Sequence, residues 1–150
     1  MPRDEIEQAQ AGDPSHESSQ PPFEALDFLY MPSSDVARDL AFYTELLGGR
    51  VVFAIEAIGT RVAEVELSRE SPRLLLADHL GGDAPLLVHR VRSIEATLKR
   101  LEHSGVELEA RMEIPQGPCC TLRSPGGQRL ALYELTRPEV NRSFEGRRDF

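Results

Sequence analysis

The residues best able to do chemistry are few and scattered. Cys119 and Cys120 are adjacent, and neighbouring cysteines are poorly placed to bridge one another. A reactive thiol needs a base or a cation beside it, and the sequence identifies none. On a strand, one of the two thiols faces away from the other. Asp78 and His79 stand together beside Gly81–Gly82. At the end of an expected strand, that pair is a candidate for an improvised metal or acid/base site. His89 sits inside an apolar stretch and reads as a satisfied histidine under a helix. His103 falls near an expected helix C-terminus, where a partly positive imidazole suits the dipole. His16 lies in a polar N-terminal segment. There is no nucleophile elbow, phosphate loop, zinc knuckle or dinucleotide fingerprint.

The elements that would position these groups repeat. A strand is expected over Leu26–Pro32 and a helix from about Ser34 to Leu47, with Ser33 or Ser34 able to cap its start and Gly48–Gly49 able to end it. The apolar residues Val36, Leu40, Tyr43 and Leu47 recur at helical spacing. Strands follow over Arg50–Glu56, Arg61–Ser68 and Arg73–Asp78. The same order recurs as a strand over Leu86–Val91, a helix from Ser93 to Ser104, and strands near Val106–Glu113, Pro118–Arg123 and Gln128–Leu135. A shift of 58 residues lays Phe28 on Leu86, Tyr30 on Val88, and Leu40 on Leu98, and a shift of 56 lays Arg73–Leu76 on Arg129–Leu132. Two β-α-β-β-β units are the simplest reading, with modules at about 24–80 and 84–136 of a domain spanning 23–136. One helix cannot cover four strands, so the units must pair. The fold class expected is α+β: a cupped, eight-stranded mixed sheet with helices on its outer face.

Residues 1–22 are polar and expected to be disordered, and residues 137–150 read as a loose tail in which Phe144 and Phe150 could still dock. The chain of 150 residues carries a net charge of -8, of which residues 1–22 hold -4, residues 23–136 hold -5 and the tail +1. That balance argues against nucleic-acid and anionic-membrane partners. No apolar run approaches the roughly 20 residues of a bilayer span. The N-terminus lacks a basic start and an apolar core, so a cytoplasmic location is expected.

The segment LDFLYMPSSDVARDLAFYTELLGG resembles the opening of a vicinal oxygen chelate module, the group that includes glyoxalases, bleomycin-resistance proteins and ring-cleaving dioxygenases. SPGGQRLALYEL is similar to the closing strand of that module, and VRSIEATLKRLEHSG to its second helix. The resemblance implies a metal site in the enzymes of the group, with one His, Gln or Glu donated by each of four strands. Carried onto this chain, the four positions are Phe28, Leu75, Leu86 and Ala131. None can give a lone pair to a cation. A slip of one residue would turn the side chain to the other sheet face. The resemblance therefore points to the metal-free, bleomycin-resistance-like branch, with no metal and no cofactor.

Strand alternation puts Tyr30 on the face of Phe28, Arg73 on that of Leu75, Val88 on that of Leu86, and Arg129 and Tyr133 on that of Ala131. Such a cup is apolar, with two hydroxyls and two guanidinium groups as its polar features, and it suits a small-molecule ligand. Arg73 and Arg129, as repeat-mates, are candidates to hold an anion. The leading expectation is a binding protein that sequesters a partly apolar compound, an antibiotic or toxin being one form of it. One alternative is a metal-independent enzyme for proton transfer or cyclisation, using Tyr and Arg groups. It would gain weight from an inward carboxylate among Glu56, Glu64, Glu66 and Glu113. The other is a structural or regulatory module with a filled cup. A homodimer is compatible with all three.

Overall fold

The structure, a computed structural model, describes residues 22–150. The N-terminal stretch expected to be disordered, Pro22 aside, lies outside the described residues. The first unit comprises β1 (Phe23–Pro32), α1 (Val36–Ala41, continuing as a wider π turn through Phe42–Leu46), β2 (Arg50–Ala57), β3 (Thr60–Glu66) and β4 (Arg73–Ala77). The second comprises β5 (Leu86–Val91), α2 (Ile94–His103), β6 (Leu108–Ile114), β7 (Gly117–Arg123) and β8 (Arg129–Tyr133). Both units are β-α-β-β-β, as the internal repeat requires. A third, unexpected helix, α3 (Glu139–Phe144), follows.

The strands form one mixed sheet in the order β2-β3-β4-β1-β5-β8-β7-β6. Within each unit the first strand pairs in parallel with the last, β1 with β4 and β5 with β8. The units join through the antiparallel β1–β5 pair, in which Phe28 stands opposite Val88 and Tyr30 opposite Leu86. This junction relates the two units by an approximate twofold at the middle of the sheet.

Helices α1 and α2 lie on one face of the sheet. Val36 and Leu40 of α1 pack on Ala54, Ala63, Val65, Leu74 and Leu76. Leu98 of α2 packs on Val91, Cys120, Leu122 and Leu132. Ser93 caps α2, its hydroxyl accepting from the Ala96 amide at 3.2 Å. At α1 the cap is Asp35 rather than Ser33 or Ser34, with its carboxylate accepting from the Arg38 amide at 3.1 Å. The Ser33 hydroxyl instead donates to Asp39 at 2.5 Å. Gly48 (φ 76°) and Gly105 (φ 83°) end the two helices in the left-handed conformation that glycine adopts without strain. The other sheet face carries a third cluster, Leu86, Val88, Cys119, Ala131 and Tyr133, backed by Phe28 and Tyr30.

Residues 137–150 are not a loose tail. Arg137 is held by the β6–β7 hairpin, donating to the Pro115 carbonyl at 2.8 Å and to the Glu113 carboxylate at 2.9 Å. Beyond α3 the chain lies along the free edge of β2. Gly146 donates to the Val52 carbonyl, Ala54 to that of Arg147, and Asp149 to that of Ala54, at 2.7–2.8 Å. Phe150 reaches the helix-side core beside Val36 and Leu40. The composition read as loose because these contacts are backbone hydrogen bonds to a sheet edge, which leave no periodic signature. Among the described residues no helix is long and apolar enough to cross a membrane.

Candidate functional site

The concave face encloses two adjoining chambers. The larger, of about 530 Å³, is walled by Phe28, Tyr30, Leu75, Leu86, Val88 and Ala131 on the central strands, by Phe53, Ile55 and Val62 on the first unit's outer strands, and by Met112, Cys119 and Thr121 on the second's. Pleat geometry accounts for the set. Tyr30 is flanked by Leu75 and Leu86 in the paired register, and Val88 by Phe28 and Ala131. The four positions to which the resemblance assigns metal donors thus lie around one cavity, and all four side chains are hydrocarbon. Among the described residues no three His, Cys, Asp or Glu groups converge as a cation would need. The donor set does not fit the metal of the family's enzymes.

Tyr30 lines the chamber. Its hydroxyl lies 3.0 Å from Nε2 of His79, and burial together with the nearby Asp78 charge pushes its pKa up to about 12. His79, placed by the sequence at a strand end, borders the cavity beside Tyr30, with ring centroids 5.9 Å apart. Asp78 faces elsewhere, accepting from the Arg61 amide at 3.0 Å. Cys119 faces the cup and Cys120 the helix-side core. Burial pushes the Cys119 thiol up to about 11, so it is protonated at neutral pH. His89 stacks on Phe23 with ring centroids 5.2 Å apart, on the helix side, and desolvation lowers its pKa.

The smaller chamber, of about 360 Å³, shares Phe28, Phe53 and Tyr133 with the larger. Its wall is charged: Asp27, Glu64 and Glu145 face Arg73, Arg90 and Arg142. Asp27 corrects the simple alternation, which put it on the opposite sheet face. The pairing of β1 with β5 slips between Leu26 and Phe28. Such a bulge lets consecutive residues approach one face, so Asp27 and Phe28 both line the chamber. The Tyr133 hydroxyl donates to the Asp27 carboxylate, and burial, reinforced by that carboxylate, drives the Tyr133 pKa far above the ordinary tyrosine value. Arg90 lies 3.3 Å from Glu24 and 3.6 Å from Asp27. Glu64 is only 6 % exposed. Desolvation raises its pKa against the opposing pull of Arg73, 3.4 Å away.

Arg73 and Arg129 are not brought together. Arg73 lines the charged chamber and pairs with Glu64 and, at 3.7 Å, with Glu66. Arg129 lies outside both chambers, 3.6 Å from Glu109. The reason is topological: β1 and β5 run antiparallel, so repeat-related positions fall at opposite ends of the cup. The paired anion clamp expected from the repeat does not form. Of the four carboxylates that the sequence offered as possible inward groups, Glu64 lines the charged chamber. The sequence missed Phe53 on the edge strand β2 and the α3 contributors beyond the repeat, where no register anchored their direction, and Arg90 on the central strand β5, two residues past Val88, where alternation already pointed to the cup.

Comparison with known proteins places this geometry. The chain superposes on methylmalonyl-CoA epimerase from Mycobacterium tuberculosis with a TM-score of 0.65 at 21% identity, covering 79% of this chain and 92% of that one. It is similar to hypothetical protein BH1468 from Bacillus halodurans C-125, with a TM-score of 0.65 at 17% identity over 75% and 95% of the two chains. It is also similar to a variant of Streptomyces coelicolor methylmalonyl-CoA epimerase in complex with 2-nitronate-propionyl-CoA, with a TM-score of 0.63 at 15% identity over 77% and 99%. At these identities the likeness concerns the fold. No curated protein sequence matches the chain. The family model described as Glyoxalase/Bleomycin resistance protein/Dioxygenase superfamily matches residues 25–132, a span that takes in both repeat units and the floors of both chambers, and the chain belongs to that superfamily.

Proposed function

We propose that this protein is a metal-independent binding protein that holds a partly apolar small molecule in its cup, sequestration of an antibiotic or toxin being the biological form that suits such a device. The observation that carries the reading is the convergence of Phe28, Leu75, Leu86 and Ala131 around a cavity of about 530 Å³. That volume lies in the range of ordinary ligand pockets, roughly 300–1,000 Å³. Affinity would come from apolar burial, at about 25 cal/mol per Å², with hydroxyl and guanidinium groups setting orientation. The partner is a small molecule rather than a nucleic acid or a membrane, in keeping with the net charge of -8. A cytoplasmic homodimer is the assembly we assign to it. Calorimetric titration against aromatic and cationic glycopeptide antibiotics tests the reading. Saturable one-to-one binding is the expected result, and heat-silent titrations across the panel overturn it.

One observation favours a second reading, proton-transfer catalysis. Glu64 is an inward, desolvated carboxylate whose raised pKa moves it toward neutrality, the condition of a general base. Carbon-bound proton exchange of a bound carbonyl compound in D₂O, abolished by Glu64→Gln with binding intact, is the signature of that activity. Binding with no exchange excludes it.

A further inference from the structure

The C-terminal segment 137–150 lies outside the span matched by the superfamily, residues 25–132. It nevertheless touches both chambers. Phe144 and Arg147 line the larger, and Asn141, Arg142 and Glu145 the smaller. Its two ends are fastened to the two edges of the sheet. At one end Arg137 and Thr136 bond the β6–β7 hairpin, with both amides donating to the Gln116 carbonyl at 3.0–3.1 Å. At the other, Arg148 forms a bridge with Ala54 of β2, and the Asp149 carboxylate accepts from the Glu56 amide at 2.9 Å while pairing with Arg147 at 3.0 Å. Between these anchors α3 crosses the mouth, and Phe144 meets Phe53 with ring centroids 5.6 Å apart. The Arg61 guanidinium covers the Phe150 ring at 4.7 Å.

We infer that this segment is a strap that forms the missing wall of the cup and selects its ligand: an amphipathic molecule whose flat apolar body fills the larger chamber and whose polar head reaches the charged one. The inference rests on the binding reading above and deepens it. The two chambers adjoin, with Phe28, Phe53 and Tyr133 lining both, so a molecule that passes these three side chains reaches from one into the other. The charged chamber matches a polar head in a specific way. Arg73 and Arg90 already have carboxylate partners, Glu64 and Asp27 among them. Arg142 and Glu145, both on the strap, have no ion-pair partner among the described residues, so the strap carries the groups left for the head. Phe144 lines the larger chamber beside Phe53, where it would press on the body from the strap. Asp149 touches neither chamber and serves as the latch.

1-Anilinonaphthalene-8-sulfonate, a flat apolar body with one polar head, is the probe. The full chain is titrated by fluorescence and its release followed by stopped flow, beside Phe144→Ala and Asp149→Ala, with thermal melts reporting that each variant is folded. Binding of one probe per chain is expected, weakened about tenfold in F144A, which corresponds to roughly 1.4 kcal/mol of lost apolar contact. In D149A release is expected to quicken about fivefold, as the strap loses one of the hydrogen bonds that hold it to the β2 edge. Where F144A does not fold, Arg147→Ala replaces it, and D149A alone still reads the latch. One-to-one binding with affinity and release unchanged in both variants overturns the strap and leaves the cup reading standing. No uptake by the full chain removes both.

Discussion

Ala131→Phe would place a phenyl ring at the centre of the cup floor. Ala131 is 3 % exposed and stands between Val88 on β5 and Thr121 on β7. Above it is the cavity of about 530 Å³. If that space is open, the ring enters it without displacing the backbone. Burying a phenylalanine side chain stabilises by about 1.5–3 kcal/mol, and a new ring against Tyr133 and Cys119 costs about 1–3 kcal/mol in adjustment. The two nearly cancel, so stability should stay within about 1 kcal/mol of the parent, a shift of roughly 2–4 °C in the melting midpoint for a chain of this size. Probe binding should fall more than tenfold, because the ring occupies the space that the apolar body needs. Differential scanning fluorimetry and probe titration on the same sample read both quantities. A midpoint that collapses would show that the floor is already packed, as in a filled barrel. A normal midpoint with undiminished binding would show that the ligand lies elsewhere. Either result refutes the reasoning.

Three further outcomes follow from the same structure. The folded-state pKa of Glu64 lies above its unfolded value, so ionisation is resisted in the folded chain and stability falls as pH rises through that window. Glu64→Gln removes this slope. Its stability in urea should match the parent at pH 4 and exceed it at pH 7, and a less stable variant at pH 7 would show that the Arg73 pair outweighs desolvation. Cys119, with its pKa pushed up to about 11 by burial, should alkylate about 100-fold more slowly at pH 8 in the native protein than in urea, as its thiolate fraction dictates. Native and denatured rates that agree would mean that the thiol is not in the cup wall. At Gly117 a Cβ would fall 2.1 Å from the Glu134 carbonyl oxygen. Gly117→Ala should therefore destabilise by about 2–4 kcal/mol, measured by chemical denaturation, and a neutral substitution would show that Gly117 and the Glu134 carbonyl are not in close contact.

What the sequence disclosed, and what it withheld, follows from where order is periodic. The two β-α-β-β-β units were legible because each buries one face of a helix and one of a strand, and burial writes itself as periods of 3.6 and 2. The shift of 58 residues between Phe28 and Leu86 then located the cup, since repeat-mates on an approximate twofold meet at the β1–β5 junction. Alternation carried Tyr30, Val88, Ala131 and Tyr133 correctly onto the concave face. It failed at Asp27, where a bulge breaks the period, and it failed for Arg129, because equivalence by symmetry is not proximity. It was silent on the C-terminal strap, whose backbone bonds to the β2 edge use whatever side chains are present.

That silence has a physical consequence for the site. The family pattern is written in the repeated units, which supply the cup floor and the ends of the cavity, whereas the open side is covered by chain that belongs to neither unit. A floor of hydrocarbon side chains holds any apolar body of suitable size, since burial is non-directional. Discrimination among such bodies needs directional groups, and on this protein the charged groups of the cup stand at the smaller chamber: Asp27 through its bulge on β1, Arg90 on β5, Glu64 on β3, and Arg142 and Glu145 of the strap. Relatives that share the floor but differ beyond the matched span should therefore bind the same apolar body with different heads. Grafting residues 137–150 of this chain onto a relative with a free β2 edge should transfer head-group preference without altering the floor, as competition titrations would read.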